Sequence, residues 1–372
     1  MAFMREAVAV QTMAVDGHLG PVRRIGVFRA LVLGDLLCAT PALYRLRQRF
    51  PGARITLIGL PWARDWVRRQ ACVDDFLAFP GHPGLPEREV DEAAWPGFLA
   101  EVHALRLDLL LQLHGSGSLT NSLVAGWGAR HVAAFHEPGA PPPEARLGVP
   151  WPTRGTEVER MLRLVDVFGL PEAMHADTRH ALAFPLAPED REQAGGLLAR
   201  AGLAGRPYVC VHAGAQLPSR RWPVERFAEV VRAVVARGLP VVLTGVPGEA
   251  ELLARVQALA GVPCVNLCGH TTLWSLGALI EGARLLLCND TGVSHVAAAL
   301  GTPSVVVSSG ADVARWAPHD AVTHPVLWSD QPCRPCAYAV CPHGHACALA
   351  VQSAAVIERV HAQLARAPIA AV

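Results

Sequence analysis

No lysine occurs among the 372 residues; the 33 basic side chains are all arginine, accompanied by 16 histidines. Any cation meant to meet a phosphate must therefore be Arg or His, and Arg brings a planar, permanently charged fork instead of a mobile point charge. Other absences exclude whole classes of protein. No GxGxxG follows the first strand of either half, which argues against a dinucleotide oxidoreductase. No GxxxxGK[ST] occurs, which argues against a P-loop nucleotidase. No uninterrupted apolar run reaches the length of a membrane span. Residues 1–20 contain Arg5, Glu6 and Asp16 and lack the layout of a secretory signal. The formal net charge is +1, so the chain has no broad electrostatic footprint for nucleic acid. These features predict a soluble cytoplasmic protein without a nucleic-acid partner, with residues 1–20 as a disordered extension.

What is present is apolar material arranged for buried parallel sheets. Hydrophobic residues make up 51% of the chain, ample for two cores, and the length suggests two domains. The stretch that organises the rest is CNDTGVSHVAAALGTPSVVVSSG, residues 288–310. Leu285–Cys288 reads as a buried strand, the following segment as a helix stopped by Gly301 and Pro303, and Ser304–Val307 as the next strand. The polar turn Asp290–Thr291–Gly292 then sits at the carboxyl end of a parallel strand, where open sheets bind ligands. Gly292 lets a ligand approach the backbone, and the helix start offers free N–H groups and a positive dipole end to an anion. His295 lies one turn into that helix, facing the same mouth. The plain alternative is an ordinary helix cap beside a surface histidine.

In chain order, Arg24 opens a strand that runs into Gly34–Asp35 and a helix ending at Pro51–Gly52; Arg54–Gly59 is the next strand. Asp35 is thereby placed at a strand end, facing a crevice. A carboxylate there would repel phosphate but suits a base that takes a proton from a hydroxyl; the alternative is an N-cap for the helix. Leu107–Leu113 is a strand entering the loop His114–Gly117, residues 121–127 a helix, and residues 128–135 a strand. Residues 136–154 read as a long Pro- and Gly-rich loop, followed by a helix over about 156–168 and another over 185–206. Strands follow at Tyr208–Val211, Pro240–Thr244 and Val262–Asn266. After the first of these, Ala213, Gly214 and Ala215 permit close approach of a ligand, and Arg220 and Arg221 precede Trp222–Pro223. Glu249 opens a helix after the second, and Thr271–Thr272 cap the helix after the third. Alternating strands and helices in both halves describe doubly wound α/β domains.

The segments GDLLCATPALYRLRQRFPGARITLIG (34–59), HAGAQLPSRRWPVERFAEVV (212–231), LTGVPGEAE (243–251), NDTGVSHVAAALGTPSVVV (289–307) and RWAP (315–318) stand in this order. Together they resemble glycosyltransferase family 9, the group that contains the lipopolysaccharide heptosyltransferases. The resemblance implies a GT-B fold, two Rossmann-like domains facing a central cleft. Residues 21–184 would bind the acceptor, with Gly34 and His114 on that side. Residues 185–350 would bind a nucleotide sugar, and the helix within residues 351–372 would cross back to the first domain; its plain alternative is an end helix of the second. The family's proposed base maps to Asp35. Its phosphate-binding lysine maps to Arg220, where this chain departs from the family pattern. Its ribose-binding acid maps to Glu249. Asp290, Thr291, Gly292 and His295 would embrace the diphosphate and sugar, with Gly214, Ala215 and Thr271 also lining the donor site. The implied reaction is inverting transfer, needing no metal, of heptose from ADP-heptose to a lipopolysaccharide core or related lipid-linked glycan. It would take place in the cytoplasm or at the inner face of the cytoplasmic membrane. Two alternatives are a GT-B nucleotide-sugar epimerase or hydrolase, and a non-catalytic nucleotide-sugar binding protein.

One further signal is Cys333, Cys336, Cys341 and Cys347, with His343 and His345 among them. Such spacing can hold zinc or an iron–sulfur cluster, can pair as disulfides, or can belong to packed reduced thiols. The remaining cysteines lie mostly in apolar segments and read as core. His82 and His175 read as loop residues.

Overall fold

A computed structural model describes residues 16–169 and 181–366. The chain divides into two compact units. The first comprises residues up to Val32, Ala39–Thr153 and residues from Val158; the second comprises Leu33–Cys38, Arg154–Glu157 and residues from Leu182. The change-over thus falls a few residues before 185, and two short stretches from the N-terminal half group with the second unit.

The first unit is a six-stranded parallel sheet of β1 (Arg24–Phe28), β2 (Arg54–Gly59), β3 (Asp75–Ala78), β4 (Leu109–Gln112), β5 (His131–His136) and β6 (Gly148–Pro150). The strand order is β3-β2-β1-β4-β5-β6. Its helices are α1 (Asp16–Leu19), α2 (Leu33–Arg49), α3 (Ala63–Val67), α4 (Trp95–Ala104), α5 (Thr120–Ala125) and α6 (Glu157–Asp166); α2 and α6 each lend their first residues to the second unit. The central strands are apolar on both faces because helices cover both, and every residue of β4 is buried. An aromatic cluster of Phe28, Phe79, Phe98 and Trp127 fills one side.

The second unit repeats the plan with β7 (Val209–His212), β8 (Val241–Leu243), β9 (Val265–Asn266), β10 (Leu285–Asn289), β11 (Ser304–Ser308) and β12 (Val326–Trp328), in the order β12-β11-β10-β7-β8-β9. The helices are α7 (Pro188–Arg200), α8 (Val224–Val235), α9 (Ala250–Ala260), α10 (Leu273–Glu281), α11 (Gly292–Leu300), α12 (Val313–Trp316), α13 (Ala346–Ala350) and α14 (Ser353–Arg366). Helix α8 buries Phe227, Val230, Val231 and Val234, one face at helical spacing. Both sheets have the doubly wound order in which the chain reverses direction beside the first strand, at β1/β4 and at β7/β10.

Several expectations change. Of the extension expected over residues 1–20, the described part contains the helical turn α1, whose last residue, Leu19, is buried. The segment 136–154 is not all loop, since Gly148–Pro150 forms β6 on the sheet edge, where a proline is tolerated because its missing N–H is not needed. Strands β3 and β12 and helix α4 are additional. The described part of the last helix packs on the second unit. Val356, Val360 and Leu364 of α14 join the core of the second unit, and Arg284 Nη2 donates to the Leu364 carbonyl at 3.1 Å. His82 is a loop residue whose Nδ1 accepts the Gly84 N–H at 3.1 Å. His175 lies outside the described residues.

Candidate active site

In the second unit the reversal point lies between β7 and β10. Asn289 stands there, the last residue of β10 and fully buried. Its Oδ1 accepts the Trp222 N–H at 2.9 Å, and its Nδ2 donates to the carbonyls of Ala213 at 2.8 Å and Gly214 at 3.2 Å. One amide thus ties the small-residue loop after β7 to the start of the Trp222–Pro223 segment. Asp290 follows; its Oδ2 accepts from Ser308 Oγ at 3.0 Å.

Thr291 is the cap position of α11 by backbone geometry, but its side chain makes no capping bond. The helix continues for nine residues to Gly301, which adopts a φ of 70° that suits glycine. His295 is 5% exposed. Burial holds its imidazole below the ordinary histidine range, against the opposing pull of the Asp290 and Glu157 carboxylates. Its Nδ1 lies 3.7 Å from Cys38 Sγ, and its ring meets Trp316 edge-on at 6.4 Å. Arg315 Nε donates to Glu157 Oε2 at 2.7 Å.

The first turn of α2 belongs to this cluster. A Cβ on Gly34 would lie 3.0 Å from His295 Cδ2 and 3.3 Å from Gly292 Cα, so a side chain there would press on both. The turn Leu33–Cys38, which carries Asp35, therefore stands against the start of α11 within the same unit.

Glu249 is buried at 6% exposure and sits between two glycines. A Cβ on Gly214 would be 1.9 Å from its Oε1, and one on Gly245 would be 2.9 Å from its Oε2. That Oε2 accepts the Val246 N–H at 3.0 Å. His212 beside it shares a 3.2 Å bond with Thr244 Oγ1; burial lowers its pKa while the Glu249 charge opposes the shift. Ala215 accepts from Arg221 Nε at 3.0 Å through its carbonyl. Arg220 Nη1 donates to the Ser309 carbonyl at 2.9 Å and Nη2 to the Cys336 carbonyl, against Gly310. A guanidinium has five N–H donors, and these bonds use two. Thr271 precedes the cap of α10, where Thr272 and Ser275 exchange bonds of 3.1 and 2.9 Å.

Arginines and backbone groups contact the cysteine run. All ten cysteines are free thiols. Among the described residues no three His, Cys, Asp or Glu side chains converge to hold a metal. The zinc or iron–sulfur reading of Cys333, Cys336, Cys341 and Cys347 therefore has no ligand set here. Arg334 stands among them instead, within electrostatic range of Cys336 and Cys347 and bonded to the Ser308, Ser329 and Ala311 carbonyls at 2.8–3.1 Å. His345 Nε2 is 2.8 Å from the Ser219 carbonyl oxygen.

In the first unit, His114 follows β4 at the β1/β4 reversal. Its Nδ1 accepts the Ala30 N–H at 3.2 Å, and its ring stacks on Phe28 at 5.0 Å. Burial, assisted by the Arg29 charge, pushes its pKa down to about 3. Arg29 is itself buried and donates to the Leu113 carbonyl at 2.5 Å.

Asn289, Arg29, Cys38 and the Arg315–Glu157 pair complete these surroundings; Asn289, Cys38 and Arg315 lie inside the motif segments without a role assigned to them there, and Arg29 and Glu157 lie outside those segments. Asn289 carries the clearest signal, as a polar residue closing an apolar strand.

Two doubly wound units of the same strand order have the GT-B fold, and the family pattern makes this a glycosyltransferase. The chain belongs to glycosyltransferase family 9 (heptosyltransferase), whose family pattern matches residues 118–347. It is 26% identical over 292 residues to lipopolysaccharide heptosyltransferase 2 of Salmonella typhimurium, covering 74% of this chain and 79% of that protein. Among solved structures, a family 9 glycosyl transferase from Veillonella parvula superposes with a TM-score of 0.76 at 20% identity, covering 92% of this chain and 98% of that one. ADP-heptose lipopolysaccharide heptosyltransferase II of Escherichia coli superposes with a TM-score of 0.69 at 19% identity, covering 92% and 99%.

Proposed function

We propose that this chain transfers heptose from ADP-heptose, with inversion, to a hydroxyl of a lipopolysaccharide core acceptor, with Asp35 as the general base. The observation that carries this reading is the grouping of the Gly34–Asp35 turn with Gly292 and His295. It brings a carboxylate-bearing turn to an anion-binding helix start, as a base and a leaving diphosphate require. The acceptor hydroxyl loses its proton to Asp35 as it attacks the anomeric carbon. The departing nucleoside diphosphate gains charge, which the N–H groups opening α11 and the guanidinium of Arg220 stabilise. His295, kept neutral by burial, donates an N–H to the diphosphate without adding charge. Glu249 accepts the ribose hydroxyls. Among the described residues no helix is long and apolar enough to cross a membrane; the acceptor is met at the inner membrane face by peripheral contact.

The test is a product assay with several nucleotide sugars and truncated lipopolysaccharide cores. Transfer should require a nucleotide heptose, and Asp35→Asn should lower the rate by roughly 10²–10⁴ while leaving donor binding intact. Wild-type transfer by Asp35→Asn would remove the base assignment. Release of free sugar without glycoside would make the chain a hydrolase.

A further inference from the structure

At the carboxyl end of β4 a hydrogen-bond donor and an acceptor face each other without touching. Since Nδ1 of His114 accepts the Ala30 N–H, the proton of the neutral ring resides on Nε2. Nε2 lies 4.0 Å from Oε2 of Glu87. That distance is too long for a hydrogen bond, and the neutral ring makes it no ion pair. Oε2 of Glu87 is buried and has no hydrogen-bond partner, although the side chain as a whole keeps 21% of its surface exposed. Burial accordingly pushes the Glu87 carboxyl above its ordinary pKa.

The His114 ring and the loop that carries Glu87 are each anchored. The His114 ring lies nearly parallel to Phe28, at 12°. Glu87 rides on the loop between β3 and α4, which is closed at its base by the Asp91 N–H donating to the Pro80 carbonyl at 2.8 Å and by Arg88 Nη1 donating to the Phe79 carbonyl at 3.0 Å. Gly81 in that loop has a φ of 92°, and a Cβ there would meet the Glu89 carbonyl oxygen at 2.9 Å.

We propose that this gap recognises one hydroxyl of the acceptor sugar, which accepts from His114 Nε2–H and donates to Glu87 Oε2. An oxygen about 2.8 Å from each atom spans the gap with ordinary hydrogen-bond lengths. A hydroxyl is the neutral group that accepts and donates at one atom, as the fixed tautomer and the carboxylate oxygen demand. The site lies at the reversal point of the first sheet, where doubly wound sheets bind ligands. The inference rests on the glycosyltransferase reading above and adds Glu87, and the polarity of the contact, to it.

The experiment titrates deacylated core oligosaccharides and their monodeoxy analogues calorimetrically, without donor, into wild type, Glu87→Met and Glu87→Gln, with an ADP titration and a transfer assay alongside. One deoxy analogue should bind wild type roughly 10- to 100-fold more weakly than its parent, the loss expected when a bond to a charged group is removed. Glu87→Met should bind the parent with the same deficit and no longer distinguish that analogue. Glu87→Gln, which keeps an acceptor, should recover part of the affinity, and ADP should bind all three equally. If Glu87→Met discriminates as wild type does, the gap holds a structural water only and the inference is overturned. Should Glu87→Met fail to fold, the deoxy series on wild type and Glu87→Gln decides, and the absence of any single-hydroxyl penalty overturns it. A wild type that binds and transfers normally while the inference fails leaves the proposed function standing. A wild type that neither binds nor glycosylates any core oligosaccharide overturns both.

Discussion

Replacing Gly214 with alanine adds one carbon where Glu249 already stands. The new Cβ would lie 1.9 Å from Oε1, 2.1 Å from Cδ and 2.3 Å from Oε2. A flexible carboxylate could usually swing aside, but this one has Gly245 on its other flank and an anchor on the Val246 N–H at 3.0 Å. If Glu249 leaves, a bond to a charged group is lost, about 1.5–3 kcal/mol. If the loop retreats instead, overpacking costs about 1–3 kcal/mol. A loss of about 3 kcal/mol lowers the thermal midpoint of the second unit by roughly 6–12 °C. Scanning calorimetry of Gly214→Ala, Glu249→Ala and the double variant separates the causes. In the Glu249→Ala background the obstacle is gone, so the added methyl should cost little, a non-additivity expected of residues in contact. Calorimetric titration with ADP should show Gly214→Ala losing affinity as Glu249→Ala does, and the double variant losing no more. A Gly214→Ala protein with wild-type midpoint and ADP affinity, or strictly additive losses, would refute the reasoning.

Two further outcomes are expected. Arg220→Ala should weaken nucleotide-sugar binding roughly 10- to 100-fold while core oligosaccharide binding stays intact; unchanged donor affinity in a calorimetric titration would move the phosphate contact elsewhere, with Arg221→Ala measured beside it. Stability should fall on acidification below about pH 6.5. His114 has a folded pKa of about 3 against an ordinary 6.5, so across that window the unfolded chain binds the extra proton. The pull approaches about 1.4 kcal/mol per pH unit for this one residue, with His212 and His295 shifted in the same direction. Urea titrations from pH 7 to 4.5 should show a smaller acid slope in His114→Gln, and an unaltered slope would remove His114 from the balance.

How much of this was legible in the sequence depends on position in the sheets. The inner strands β1, β4, β7 and β10 are apolar runs with a polar residue only at one end, because helices cover both their faces, and they stand out without any structure. The strands that escaped notice, β3, β6 and β12, are all sheet edges: three or four residues long, with Asp75, Pro150 or an exposed Trp328 among them. An edge strand needs one partner and tolerates polar or proline residues, so periodicity carries little trace of it. The site divides in a similar way. Asp290, Thr291, Gly292 and His295 were visible because chain neighbours share one turn. The bonds of Arg220 to the Ser309 and Cys336 carbonyls were not, because a backbone acceptor leaves no mark in residue identity. The cysteine run suggested a ligand set by spacing alone, whereas the folded loop wraps an arginine.

The bonding of Asn289 bears on chemical ageing. Asparagine loses ammonia when the backbone nitrogen of the next residue attacks its side-chain carbonyl, and asparagine is among the residues most damaged by heat. Here the attacking nitrogen, that of Asp290, is bonded to the Val307 carbonyl at 3.0 Å, and the amide is spoken for at both ends. Were the conversion to occur, a carboxylate would face the Ala213 and Gly214 carbonyl oxygens, and two donor bonds would become repulsions. The same contacts that tie the β7–α8 connection to the end of β10 therefore also protect the residue that makes them, and intact protein stored warm should keep its Asn289 amide.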